Sequence, residues 1–328
     1  MRAMRAWQVV RLGEPEEALS LGEVPEPEPG PGQVLVRVLG AAANFSDVLM
    51  CRGQYQVKPP LPFTPGVELC GEVVALGAAV EGLAVGERVV GASVAGAFGE
   101  LALMNAGTTF RAPSTLDDAQ AAAFYIGYQT AWFALHRRAR IAAGDVLLVH
   151  AAAGGVGSAA VQLGKAAGAT VVGVVGGPGK AEAARGLGAD VVVDRREEDF
   201  VAVVNELTGR RGADIVFDPV GGETYRRSTK CVAFEGRIVV VGFAGGEIQS
   251  APLNHALVKN YSVDGLHWGL YLERDPALVR SCHEALTGLA AAGAAVPLVS
   301  ERIALEEVPE GLRRLAAGET TGRVVALP

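Results

Sequence analysis

The stretch Val146-Leu147-Leu148-Val149-His150-Ala151-Ala152-Ala153-Gly154-Gly155-Val156-Gly157 constrains this chain more than any other. Four apolar residues in a row read as a strand buried on both faces. Small residues and glycines then force a tight turn, and a helical pattern follows. The spacing Ala152-x-Gly154-x-x-Gly157 places glycine where backbone N–H groups must approach a pyrophosphate and where a helix must pack close on its strand. Taken alone such a spacing is weak; after a buried strand and before a helix it is a dinucleotide fingerprint, with alanine at its first glycine position. The competing reading, an ordinary tight turn, explains neither the strand nor the helix.

The surroundings repeat the pattern. Apolar runs at Val146–Val149, Val171–Val175, Val191–Val193, Ile215–Phe217 and Ile238–Val241 alternate with helical stretches at Val156–Ala167, Lys180–Leu187, Glu198–Leu207 and Glu223–Val232. That alternation predicts a doubly wound parallel sheet, with Tyr261–Leu266 as a last strand able to pair across a dimer. Residues 1–125 read differently. The run Pro25-Glu26-Pro27-Glu28-Pro29-Gly30-Pro31-Gly32 excludes regular structure. Strands are expected at Val34–Val38, Val67–Leu76, Arg88–Gly91 and Glu100–Met104. The tail supplies helices near Pro276–Ala292 and Val308–Ala317 and a strand at Arg323–Leu327.

Composition excludes several classes. With 328 residues, two domains are expected, and glycine, at 43 residues, is far above its ordinary share of roughly 7 %. A net charge of −7 disfavours nucleic acid as the main ligand. The four cysteines, Cys51, Cys70, Cys231 and Cys282, have no metal-finger or redox spacing and read as reduced thiols, hence a cytoplasmic protein. The N-terminus lacks the apolar segment of a signal peptide, and the glycine-broken run Val146–Gly164 is not expected to span a membrane.

No carboxylate follows the second strand of the sheet, where an NAD-preferring site would bind the ribose 2′-hydroxyl. Instead Gly176-Gly177-Pro178-Gly179-Lys180 follows, and Arg195-Arg196 end the next strand. This pattern points to NADPH, because a cationic pocket suits a phosphate dianion; solvated surface charge is the alternative.

Gly144-Asp145, Leu148, Ala152-Ala153-Gly154-Gly155, Gly157, Gln162 and Lys165 together resemble the signature of the quinone oxidoreductase (zeta-crystallin-like) family, the zinc-free branch of the medium-chain dehydrogenases/reductases. The likeness extends to Asn44-Phe45-Ser46-Asp47, Pro65-Gly66-Val67-Glu68, Gly86-Glu87-Arg88-Val89, Val241-Gly242-Phe243-Ala244-Gly245 and Thr321-Gly322-Arg323-Val324-Val325. It implies an α/β chain. A GroES-like β-rich domain (1–125 and 267–328) would carry an inserted Rossmann domain (126–266), with the active site in the cleft and a homodimer as the assembly. Zinc-dependent relatives carry Cys near Asn44 and His at Val67, so no open metal site is expected, and Glu68 reads as a structural carboxylate before an acid.

The resemblance implies NADPH-dependent reduction of a quinone or conjugated carbonyl. Cofactor contacts are expected from Asn44, Thr130, Ala152, Gly154, Gly155, Val156, Gly157, Gly176, Lys180, Arg195, Gly242, Phe243 and Arg323, with Asn44 orienting the cofactor or a substrate carbonyl. Gly53-Gln54-Tyr55 matches the Gly-x-Tyr of enoyl reductases, whose Tyr donates a proton. For Tyr55 two other readings stand beside that one: it lines the pocket, or water is the acid. Leu49, Tyr55, Phe63, His267 and Trp268 are the expected substrate pocket, with a hinge or dimer contact as the other reading of His267-Trp268. Arg52 and Lys58 flank the Tyr55 loop and read by default as surface charges, with a basic rim for a CoA phosphate as the other reading. A 2-enoyl thioester or alkenal reductase, polyketide-type included, is the rival enzyme. A non-catalytic nucleotide- or RNA-binding protein is the rival of another class.

Overall fold

The computed structural model describes residues 2–328, with backbone alone at Val94 and Ala95; Met1 lies outside the described residues. In chain order the strands are β1 (Ala3–Val9), β2 (Leu19–Pro25), β3 (Gln33–Ala42), β4 (Glu68–Leu76), β5 (Arg88–Ala95) and β6 (Leu101–Arg111). There follow β7 (Val146–His150), β8 (Thr170–Val175), β9 (Val191–Asp194), β10 (Ala213–Asp218), β11 (Val232–Val240), β12 (Ser262–Gly265), β13 (Val299–Ala304) and β14 (Arg323–Leu327). The chain divides into two compact units, Met1–Ile126 with Asp275–Pro328, and Gly127–Arg274.

The first unit is a β-rich GroES-like fold. Its six-stranded sheet has the order β13-β14-β3-β4-β5-β6, and β6 also pairs with β3, so the strands from β3 to β6 close on themselves. Closure removes open edges and encloses a core of Val34, Val36, Val38, Leu69, Val73, Val89, Ala102 and Met104. The tail returns to this unit: Val325 of β14 pairs with Ala42 of β3. Three strands escape the sequence reading. β1, β2 and β13 interrupt their apolar residues with charged or polar ones, and β13 alternates half-buried and exposed along its length. Such sheet margins have no continuous apolar run to betray them. The short helix Phe45–Cys51 was also unexpected; its signal is the box at its start, where Asp47 accepts from the Asn44 N–H at 2.8 Å.

The second unit is a parallel sheet of order β12-β11-β10-β7-β8-β9. Leu148 of β7 lies between Val172 of β8 and Val216 of β10, so the sheet reverses its winding at β7. The crevice beyond the carboxyl ends of β7 and β10 is where such sheets bind ligands. Two boundaries differ from expectation. The helix expected to reach Val232 ends at Ser228, and β11 begins at Val232 instead. The helix expected from Lys180 starts at Pro178, whose missing N–H costs nothing in a first turn.

Candidate functional site

At the carboxyl end of β7 the chain turns through Ala151 and Ala152 into the helix Gly155–Ala166, twelve residues long. Gly154 is its N-cap, and no side chain caps it. The first-turn N–H groups and the helix dipole are therefore available to an anion. A Cβ at Gly157 would stand 2.1 Å from the Ala151 carbonyl oxygen, and one at Gly154 would stand 3.2 Å from it. Only glycine closes this turn so tightly, and Ala152 is buried beneath it. The cradle fits a dinucleotide pyrophosphate, which the backbone at Gly155, Val156 and Gly157 would hold.

Beyond β8 the chain turns through Gly176 and Gly177, the latter at φ +100°. The Arg195 guanidinium lies over Gly176, with Nε 3.1 Å from where a Cβ would be, and Arg196 lies over Gly177 at 2.8 Å. Asp194 accepts from the Gly177 and Arg196 N–H groups and holds this corner. The Lys180 ammonium is depressed below its ordinary range, first by burial and then by the charges of Arg195 and Arg196. Three cations thus gather at one glycine corner, which fits a phosphate dianion. On the other side of the switch, Phe243 lies against Gly221, its ring 2.9 Å from where a Cβ would stand, and Gly242 faces Pro219. Thr130 is buried in the helix Tyr125–Trp132.

Two residues here were missed by the sequence reading. Asp218 ends β10 at the switch point and is fully buried; its Oδ1 accepts from Val220 and Gly221, and its Oδ2 has no partner. A charged residue closing an apolar strand was the available signal. Gln129 beside Thr130 is fully buried and accepts from the Trp268 indole at 3.2 Å, while its own amide nitrogen has no partner. Trp268 is accordingly buried, whereas the expectation had it at the rim of a pocket; His267 is exposed. His150, the last residue of β7, is buried and bonded to Ser228 at 2.8 Å. Because Ser228 donates to the Thr224 carbonyl, His150 Nε2 must carry the proton. Burial pushes its pKa down to about 3. His136 is half-buried against Trp132.

The first unit builds a buried polar network. Glu68 is fully buried and satisfied: it accepts from the Ile126 N–H at 2.6 Å, from Asn44 Nδ2 at 2.9 Å and from Arg323. Arg323 also donates to Asn44 Oδ1 at 3.1 Å, and its Nε has no partner. Asn44 gives its second amide hydrogen to the Ala42 carbonyl at 3.1 Å. Both Asn44 N–H groups are therefore committed to protein, so the expected donation to a substrate carbonyl has no hydrogen to use; the oxygen keeps room for one more donor. Arg323, expected on the cofactor, has Nη2 committed to the Glu68–Asn44 pair. Asp47 beneath them accepts from Asn44 and Gly66 N–H groups, and burial raises its pKa to about 7. Among the described residues no group of three or more His, Cys, Asp and Glu is placed to hold a metal ion.

Helix Phe45–Cys51 carries half-buried Leu49 and leads through Gly53 to half-buried Tyr55. Burial, then the charge of Asp47, raises the Tyr55 pKa. Phe63, also half-buried, pairs with Val9, whose N–H reaches the Phe63 carbonyl at 2.8 Å. Of the two readings of Arg52, a surface charge or part of a basic rim with Lys58, the structure favours the first. Arg52 is bound by both oxygens of Glu14, at 2.7 Å for the closest contact, and its charge is offset there.

The GroES-like domain family of alcohol dehydrogenases matches residues 30–114, and the family described as zinc-binding dehydrogenase matches residues 155–283. A quinone oxidoreductase-like protein 2 homolog of Nematostella vectensis is 38% identical over 299 residues, 90% of this chain and 82% of that protein. The crystal structure of Escherichia coli quinone oxidoreductase complexed with NADPH matches with a TM-score of 0.91 at 29% identity, covering 99% of this chain and 100% of that one. A mycocerosic acid synthase-like polyketide synthase of Mycobacterium tuberculosis is 33% identical over 301 residues, 90% of this chain but 14% of that longer protein. With both halves matched and the glycine cradle in place, the chain belongs to the quinone oxidoreductase-like branch of the medium-chain dehydrogenase/reductase family.

Proposed function

We propose that this oxidoreductase uses NADPH to reduce a quinone or conjugated carbonyl, without zinc. The observation that carries the cofactor choice is the corner of Lys180, Arg195 and Arg196 over Gly176–Gly177, where an NAD-selecting carboxylate would stand. NADPH, when bound, supplies the hydride. The N–H groups of Gly155, Val156 and Gly157 hold its pyrophosphate, and the three cations hold its ribose phosphate. Gly176, Thr130, Gly242 and Phe243 complete its contacts, and Asn44 offers one oxygen lone pair. The Glu68–Arg323 pair keeps Asn44 fixed. Positioning is thereby a large part of the catalysis.

Tyr55 holds a proton on its hydroxyl at neutral pH, since burial disfavours the phenolate. It delivers that proton to an enolate oxygen formed from an enone; a quinone needs no such donor, because its product oxygens take protons from water. Leu49, Phe63 and His267 contribute to the acceptor's surroundings. The match to a polyketide synthase favours enoyl reduction as the second reading. The Arg52–Glu14 pair removes half of the rim a CoA phosphate would use.

The assembly proposed is a homodimer. β12 is an edge strand, and the adjacent helix Leu253–Lys259 buries no residue, leaving Leu253, Leu257 and Val258 each 76% exposed. The four cysteines are unpaired, in keeping with the cytoplasm. Among the described residues no helix is long and apolar enough to cross a membrane.

The test is NADPH oxidation, with NADH in parallel, on 1,4-benzoquinone, 9,10-phenanthrenequinone, a 2-alkenal and crotonyl-CoA. Quinone turnover with NADPH preferred is expected. Preference for crotonyl-CoA moves the assignment to enoyl reduction, and equal efficiency with NADH overturns the cofactor choice.

A further inference from the structure

Asp194 ends β9, one residue before the two arginines of the glycine corner. A carboxylate there is at first sight a fault, because it repels a phosphate. Its hydrogen bonds show where it is spent. Oδ1 accepts from the Gly177 N–H at 2.9 Å and from the Arg196 N–H at 3.1 Å. The first donor belongs to the turn after β8, ahead of the helix Pro178–Gly186; the second belongs to the turn after β9. One oxygen thus staples two turns that follow different strands. The main chain closes around the same residue. Asp194 pairs with Val175 of β8, and the Arg195 N–H reaches the Val175 carbonyl at 2.9 Å. The Glu197 and Glu198 N–H groups both reach the Asp194 carbonyl at 2.9 Å. The carboxyl is held below its ordinary range first by the Gly177 N–H, then by the Arg196 N–H, and less by the two guanidinium charges.

Neither Arg195 nor Arg196 forms an ion pair with a carboxylate among the described residues. Their guanidinium groups lie over Gly176 and Gly177 instead, so their placement depends on how the two turns stand relative to each other. An ion pair with Asp194 would occupy the N–H groups a phosphate needs; a carboxylate bound to backbone N–H groups orders the corner and leaves them for a ligand. We infer that Asp194 is a positioning residue for cofactor preference: its oxygen locks the β8 and β9 turns together, so that Arg195 and Arg196 meet the ribose 2′-phosphate of NADPH. It acts through the two arginines. This rests on the proposed use of NADPH and deepens it. As a charge Asp194 opposes the phosphate; as a hydrogen-bond acceptor it builds the site. Removing the whole side chain and removing only its charge therefore have different expected effects.

The experiment measures dissociation constants of NADPH and NADH by isothermal titration calorimetry on the full chain. Wild type, Asp194→Ala and Asp194→Asn are compared, with melting temperatures recorded alongside. Wild type is expected to prefer NADPH. Asp194→Ala frees both turns and should weaken NADPH by about 10-fold, while NADH moves less than about 2-fold. Asp194→Asn keeps an oxygen for both N–H groups and loses the opposing charge, so it should bind NADPH at least as tightly as wild type. Tighter NADPH binding in Asp194→Ala overturns the inference and leaves Asp194 as a charge alone. An equal loss of both nucleotides also overturns it and reduces Asp194 to holding the fold. Weaker NADPH binding in Asp194→Asn overturns it too, and that isosteric variant decides the matter should Asp194→Ala not fold. Wild type without a preference overturns the cofactor reading itself. A wild-type preference that Asp194→Ala retains overturns only the role of Asp194, so the two readings fail separately.

Discussion

The glycine cradle of the second unit and the polar network of the first solve opposite problems. The cradle presents unsatisfied backbone N–H groups and positive side chains to a ligand, and all of it falls within the 45 residues from Ala152 to Arg196. The network satisfies itself. Asn44, Glu68, Ile126 and Arg323 come from four distant segments, and almost every donor and acceptor among them is spoken for. A binding site for a charged cofactor is built from groups left incomplete. The network is built from groups that mostly complete one another and hold shape. Substitutions in the network should therefore register as stability, and substitutions in the cradle as affinity.

The largest effect is expected from Arg323→Met, which leaves the fully buried Glu68 without its cation. Loss of one partner of a buried pair costs about 3–5 kcal/mol. Guanidinium denaturation should show that loss, and Glu68→Gln added to Arg323→Met should restore part of it. No recovery in the double variant would mean that Arg323 acts through something other than the pair. Next, Tyr55→Phe should lower kcat on an enone by about 100-fold while leaving quinone turnover unchanged. An equal fall on both acceptors would reduce Tyr55 to a packing residue.

Smaller effects test the second unit. His150 is neutral when buried, with a folded pKa of about 3 against an ordinary 6.5. Between these values the unfolded chain binds the extra proton, so stability falls as pH drops below about 6.5. From pH 7 to pH 5 the wild type should lose about 2 kcal/mol that a His150→Gln variant retains, read from denaturation at the two pH values. That would show that the cradle unit also contains a term belonging to stability alone. Finally, Arg195→Gln should weaken NADPH binding by about 10-fold, leave NADH binding unchanged and leave the melting temperature where it was. A comparable loss for NADH, or a lowered melting temperature, would break the division between the two regions.

How much was legible differs for the same reason. The parallel sheet shows in Val/Ile runs because both of its faces are buried, so local composition reports tertiary position. The role proposed for Arg195 rests on what precedes it, a strand end without a carboxylate. Edge strands β1, β2 and β13 did not show, since one side of each meets water and tolerates charge. Arg52 stayed open to two readings: a cation in a loop looks available until Glu14, 38 residues earlier, is found beside it. Trp268 looked like a rim residue until Gln129 appeared as the acceptor of its indole.

The residues by themselves determined the doubly wound unit and its glycine cradle, because backbone turns and helix starts obey rules that act over a few residues. Only the tertiary structure decided which polar groups are already satisfied. It closed Asn44 to donation, tied Arg52 to Glu14, left Asp218 with a free oxygen and laid Leu12 over Gly53. Hydrogen-bond capacity and apolar exposure are settled by neighbours in space, and the sequence order of a folded chain does not state who those neighbours are.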